Sequence, residues 1–205
     1  MAKVTGGMMS LDASGKFAGT MVFAKWKGRP YVRLLVTPSN PNTSAQIGVR
    51  ANMRWLGREW ATLTAPQQAT WQTRATQNNY SPFNAFVSVN QSQFAIGFGD
   101  QREDPAEASD PPNAPGSVAD SVTGSQATVT WTDPSTGETF GVMVWLSTTT
   151  GFTPAPGNLR DVVDEGVEQS VISGLTAGTY YYVVAAFDYA GIIGTASAEG
   201  SFVIA

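Results

Sequence analysis

"ISGLTAGTYYYVVAAFD", residues 172–188, sets a glycine-bracketed turn against a long apolar run. Ser-Gly-Leu-Thr-Ala-Gly has the composition of a tight connection. The tyrosine, valine and phenylalanine residues that follow suit a pleated surface and are read as a strand. Working upstream, "QATVTWTD" (126–133) alternates Ala127, Val129 and Trp131 with Gln126, Thr128 and Thr130, the period of a half-buried strand. "FGVMVWLS" (140–147) is a further β-rich run, and "DPSTGE" and "TPAPGN" punctuate the intervals. Short strands with frequent turns over residues 113–205 predict an all-β sandwich.

These segments, with "PPNAPGSV" (111–118) ahead of the first strand and "VTWTDP" (129–134) around Trp131, resemble a fibronectin type III or closely related immunoglobulin-like domain. The resemblance implies a core built on Trp131. It also implies a plug at Leu175 and a tyrosine corner at Tyr181, six residues further on. It does not imply a function, because such domains serve both as spacers and as adhesion modules.

The chain has no cysteine and no histidine. Disulfides, thiolate chemistry, imidazole bases and ordinary zinc sites are therefore excluded. There is no G-x-S-x-G elbow, complete P-loop or G-x-G-x-x-G run. No enzyme, cofactor or metal site is expected; "DVVDEGVE", with Asp161, Asp164 and Glu165, reads as a solvated acidic loop. No stretch is apolar enough to span a membrane, and the opening "MAKVTGGMMSLDASGKF" has no signal-like apolar run, so the protein is expected to stay where it is made.

Charge is strongly polarised. Residues 1–99 carry ten Lys/Arg against two acids, a net +8, and residues 100–205 carry two Arg against fourteen acids, a net −12. The acidic, proline-rich stretch 100–112 is predicted to be an extended linker. It would join an α+β domain (1–99) to the sandwich (113–205).

In the N-terminal half, residues 15–37 read as a β arm or hairpin with a cationic face formed by Lys25, Lys27 and Arg29, and with Gly28 and Pro30 in a turn or bulge. Thr43 with Gln46, Thr64 with Gln67, and Ser81 followed by Pro82 are helix-start signals. They predict helices over about 44–61, 65–78 and 82–92. Val49, Met53, Leu56 and Trp60 form the expected apolar stripe of the first, with Arg50, Arg54 and Arg58 in a row beside it. Trp71 with Ala75, and Phe83, Phe86 and Val87, are the expected inward residues of the other two.

Lys25, Trp26, Lys27, Arg29, Arg33, Arg50, Arg54 and Arg58 are the candidate partner-binding residues. Nucleic acid is the weaker match, since no helix-turn-helix turn is evident and the tryptophans read more economically as core. An acidic protein surface is the stronger one. "WKGRPYVRLLVTPSNPNTSAQIGVRANMRW", "LTAPQQATWQTRA" and "SPFNAFVSVN" together resemble proteins of tailed bacteriophages over about residues 15–93, through Trp26, Lys27, Gly28, Asn40, Pro41, Thr43, Gln46 and Arg50. That resemblance implies a structural protein of the virion. The first expectation is a head accessory or decoration protein that anchors through its basic half to the major capsid or another virion protein, as a homo-oligomer, and projects the sandwich outward. The alternatives are a neck or tail component, a cytoplasmic DNA-binding protein, or a surface adhesin holding a host glycan through Tyr180, Tyr182, Trp145 or Phe187.

Overall fold

The computed structural model describes residues 15–17, 20–26, 29–36, 40, 42–105 and 107–205. The chain divides into two compact units, Met1–Pro41 and Asn42–Ala205.

The first unit is a three-stranded antiparallel sheet in which β2 (Met21–Trp26) lies between β1 (Gly15–Phe17) and β3 (Arg29–Leu34). β2 and β3 pair from Met21 with Leu34 to Trp26 with Arg29. Pro30, expected in a turn, instead stands inside β3 opposite Lys25. β3 is an edge strand, where a residue without an N–H is tolerated.

The second unit contains three helices and seven strands. α1 (Ser44–Thr62), α2 (Ala65–Asn78) and α3 (Pro82–Ala95) begin where their caps place them. The Gln46 amide donates to Thr43 Oγ1 (3.4 Å), the Thr64 amide to Gln67 Oε1 (2.9 Å) and the Asn84 amide to Ser81 Oγ (3.2 Å). Each side chain satisfies an amide that the helix itself leaves without a partner.

The strands are β4 (Gly116–Thr123), β5 (Gln126–Thr132), β6 (Gly141–Ser147), β7 (Leu159–Asp164), β8 (Gln169–Ile172), β9 (Gly178–Phe187) and β10 (Gly200–Ile204). They form an antiparallel sandwich of the fibronectin type III kind, with one sheet ordered β4-β5-β8 and the other β10-β9-β6-β7. One core fills the space between the sheets, with Ala127, Val129 and Trp131 of β5 meeting Val142, Val144 and Leu146 of β6 and Tyr182, Val184 and Ala186 of β9.

On β6, β7 and β9 the opposite face of the four-stranded sheet is also buried. Met143 and Trp145 of β6, Leu159 and Val162 of β7, and Ala185 and Phe187 of β9 share a second core with Trp55 and Leu56 of α1, Trp71 of α2 and Phe86 and Phe94 of α3. Trp55 packs edge-on against Phe140 and Phe187, with ring centroids 4.9 and 5.4 Å away. The unit is thus three layers: sheet, sheet, helices.

The expected division at residues 100–112 is therefore corrected, because the helices and the sandwich share one core and the segment between them is packed. The Gly99 amide donates to Gly191 O (2.8 Å), Arg102 N to Tyr189 O (3.1 Å) and Glu138 N to Asp110 O (3.0 Å). The buried carboxylate of Asp188 accepts from Ser109 Oγ (2.8 Å) and the Asp110 amide (2.9 Å) with one oxygen, and from the Ala190 and Ile192 amides (3.0 and 2.7 Å) with the other. Pro112 passes so close to Gly137 and Gly194 that a Cβ on Gly194 would collide with the Pro112 carbonyl.

Three further expectations change in detail. The buried stripe of α1 is Gly48, Ala51, Asn52, Trp55, Leu56 and Glu59, so Val49 and Met53 are exposed and only Leu56 and, in part, Trp60 of the expected set turn inward. In α3, Phe86 is buried and Val87 partly so, but Phe83 lies at the rim, 37% exposed and edge-on to Trp60. The tyrosine corner belongs to Tyr180 rather than Tyr181: the Tyr180 hydroxyl donates to Thr176 O (3.1 Å), whereas Tyr181 is half-buried on the opposite side of β9. Leu175 is partly buried against the inter-sheet core, as the plug role requires.

Candidate binding surface

The residues singled out for partner binding fall on both units. Lys27 lies outside the described residues, as do the side chains of Lys25, Trp26 and Arg29. In the rest of β3, Tyr31, Val32, Arg33 and Leu34 are all exposed, and Val36 follows at 65%. Successive strand residues point to opposite faces, so exposed side chains lie on both faces of this strand. The unit they belong to carries six Lys/Arg against one acid, a net +5 over residues 1–41. It is a cationic sheet with open apolar side chains. The exposed Tyr31, Val32, Leu34 and Val36 were not expected as binding residues, although a β strand with apolar side chains on both parities was visible in "YVRLLV".

The arginine row of α1 behaves differently. Arg50 Nη1 donates to Asn42 Oδ1 (2.7 Å). Arg54 Nη1 lies 3.8 Å from Asp161, and Arg58 Nη2 lies 3.4 Å from Asp164 and donates to Val162 O at 3.4 Å. Asp161 and Asp164, expected in a solvated loop, sit on β7. Arg54 and Arg58, two of the residues expected to bind a partner, therefore also tie the first helix to the sandwich. Their side chains remain 64% and 47% exposed, so each pair contributes no more than about 1 kcal/mol.

Next to this seam lies a carboxyl group in an unusual state. Glu59 is buried, and its pKa is pushed up to about 7, first by loss of solvent and then by the neighbouring Asp164 carboxylate, with Thr62 pulling the other way. Asp100 is fully buried and its carboxyl is held well above the usual range by desolvation, offset in part by Asn52 Nδ2, which donates to it at 3.3 Å. Arg102 has its guanidinium over the ring of Tyr189 at 4.8 Å and that of Phe140 at 5.6 Å. Arg74 grips Asp104 through two nitrogens at 2.7 and 3.3 Å.

Trp55 and Trp71 are fully buried, which removes them from base stacking; the Trp71 indole N–H donates to Arg102 O (3.1 Å). Of the aromatic residues weighed for glycan contact, Tyr182, Trp145 and Phe187 are core, and so is most of Tyr180. Trp131 is core as expected, with its indole N–H on Asp133 Oδ1 (3.1 Å). Among the described residues no group of three or more acids is placed to hold a metal ion, and no helix is long and apolar enough to cross a membrane.

No family model matches the chain, and no curated protein matches it. Solved structures similar to parts of it include the chicken CNTN1 FN1-FN3 domains (18% identity, TM-score 0.41, 48% of this chain and 34% of that one). A β-1,2-glucanase from Parabacteroides distasonis is similar at 18% identity and TM-score 0.40, over 47% of this chain and 13% of that one. The Clostridium perfringens spore cortex lytic enzyme SleM is similar at 15% identity and TM-score 0.35, over 51% and 31%. The matched regions thus span about a third or less of the length of these proteins.

Proposed function

We propose that this protein is a non-enzymatic structural component of a tailed-phage particle, a head accessory or decoration protein whose cationic β sheet docks on an acidic surface of the major capsid or another virion protein. The observation that carries the reading is β3, which exposes apolar side chains on both faces within a unit of net charge +5. A small sheet of this kind gains its burial from a partner. The resemblance of residues 15–93 to phage proteins supplies the class of particle. Anchoring rests on the sheet rather than on Arg54 and Arg58, which are engaged with β7. What the particle displays is the whole three-layer unit, helices included.

The test is co-sedimentation of the full chain with purified particles of the encoding phage. The combined change Lys25→Glu, Lys27→Glu and Arg29→Glu should abolish attachment while the far-ultraviolet circular dichroism stays unchanged. Attachment that survives the reversals would overturn the anchoring role. Stoichiometry then separates the head from the neck or tail: copies in proportion to the shell lattice mark a decoration protein, and a single ring marks a neck or tail component.

A further inference from the structure

A cleft of about 510 Å³ opens beside the N-terminal half of α1, walled by Arg54 of α1, Arg160 and Asp161 of β7, and the chain from Val171 through Tyr180. Arg160 stands apart from the other arginines of its unit. Arg54, Arg58 and Arg74 each face a carboxylate, Arg50 bonds Asn42, and Arg102 lies on two aromatic rings. Arg160 is partly buried and, among the described residues, has no carboxylate oxygen within 4.0 Å; its Nε, like that of Arg102, which does not line the cleft, is fully buried without a hydrogen-bond partner. Burial lowers its pKa, with Tyr180 acting in the opposite direction, as for a cation that loses solvent without a carboxylate beside it. Buried donors are ordinarily satisfied, so a guanidinium left in this state at the edge of an open cleft is a group prepared for a ligand.

We infer that this cleft binds a monocarboxylate, held by the guanidinium groups of Arg160 and Arg54, with the hydrocarbon of the ligand against Ile47, Val171 and Leu175. The guanidinium fork matches a carboxylate in two parallel bonds. Asp161 shares the wall, with one oxygen 2.7 Å from Ser170 Oγ and the other 3.8 Å from Arg54. The two arginines less this acid leave the cleft one net positive charge, which a monoanion neutralises and a dianion such as hydrogen phosphate would overcompensate. Ile47, Val171 and Leu175 belong to the apolar part of an otherwise polar lining, enough for a short aliphatic body. A free carboxylic acid and the C-terminus of a peptide both present that chemistry. This site stands independently of the cationic sheet and of any role in a particle.

The test is a titration of the isotope-labelled full chain, following the amides of 171–176 and the Arg160 Nε–H. The probes are 4-methylpentanoate, acetyl-alanyl-valine with a free carboxylate, its amidated form, and inorganic phosphate. Saturable shifts are expected with the free carboxylates and not with the amide or with phosphate. Stronger binding of the dipeptide points to a peptide terminus, and stronger binding of the fatty acid to a free acid. Arg160→Gln should weaken binding about tenfold or more, the loss of one charge-assisted pair. Arg160→Lys should retain part of it, and Arg74→Gln should leave it unchanged. Without ligand, Arg160→Gln should melt no lower than the parent, since it removes an unpaired charge. Absence of saturable shifts with both carboxylates would overturn the site. So would binding unaffected by Arg160→Gln, or a large drop in the melting temperature of that variant, which would mark Arg160 as a structural residue instead.

Discussion

Gly48, in the second turn of α1, faces the backbone carbonyl of Pro156 so closely that a Cβ on it would stand 2.7 Å from that oxygen and 3.3 Å from Leu159. The contact lets the helix lie directly on the segment leading into β7. On an exposed helix, alanine in place of glycine would stabilise by about 1 kcal/mol. Here the obstruction is backbone, which cannot rotate away, so Gly48→Ala should destabilise by about 1–3 kcal/mol. A urea midpoint lower than that of the parent is the expected result. By contrast Gly57→Ala, on the same helix with nothing within 4 Å, should raise it.

Stability should fall as the solution is made less acidic. Glu59 has a folded pKa near 7, above its ordinary 4.5, so the folded chain holds this proton more tightly than the unfolded one. Its contribution is fully present below about pH 4.5 and is lost as the pH rises through 7. Asp100, also raised, acts in the same direction. Glu59→Gln should flatten the difference in unfolding free energy between pH 5 and pH 8 by on the order of 1–3 kcal/mol, leaving the share due to Asp100. Unfolding curves at the two pH values for parent and variant measure it.

The sandwich should not behave as a free-standing module. Cutting before residue 113 strips the helices from Met143, Trp145, Leu159, Val162 and Phe187, all at most 4% exposed in the whole chain. A fragment of residues 113–205 is expected to bind a hydrophobic dye and to aggregate, whereas 42–205 remains monodisperse. Size-exclusion chromatography of the two fragments makes the comparison.

The neighbouring tyrosines of β9 should separate cleanly. Tyr180→Phe removes the hydroxyl bonded to Thr176 O and should cost about 1 kcal/mol, a typical net value for such a bond. Tyr181→Phe, on the other face, should change stability by less than about 0.5 kcal/mol. Thermal melts of the two variants decide whether the corner lies where the hydrogen bond places it.

Much of the architecture was legible in local signals. Thr43, Thr64 and Ser81 marked the helix starts because capping is a contest between neighbours in the chain, and Ala127, Val129 and Trp131 marked a strand with one buried face because alternation reports that face directly. The third layer was harder to see. "GVMVWLS" and "VVAAF" lack alternation, which is what burial on both faces produces, but a continuous apolar run does not say what covers its second side. The polar stretch 100–112 read as a linker because its bonds go to Asp188, Tyr189 and Ala190, far along the chain. The corner was assigned to Tyr181 by a family spacing of six from Leu175; here the spacing is five. The arginine row was found, but its acidic partners on β7 are joined to it only by the fold.

The order of layers also sets the order of events during synthesis. Trp55 and Trp71 are made well ahead of Phe187, against which Trp55 packs, and of Gly191, whose carbonyl accepts from Gly99. Until β9 is complete the three helices have a sticky side and no sheet to lay it on. The nascent chain must therefore carry unfinished helices until β9 is made, and the slot formed by Gly137 and Gly194 closes around Pro112 only once Gly194 has followed it.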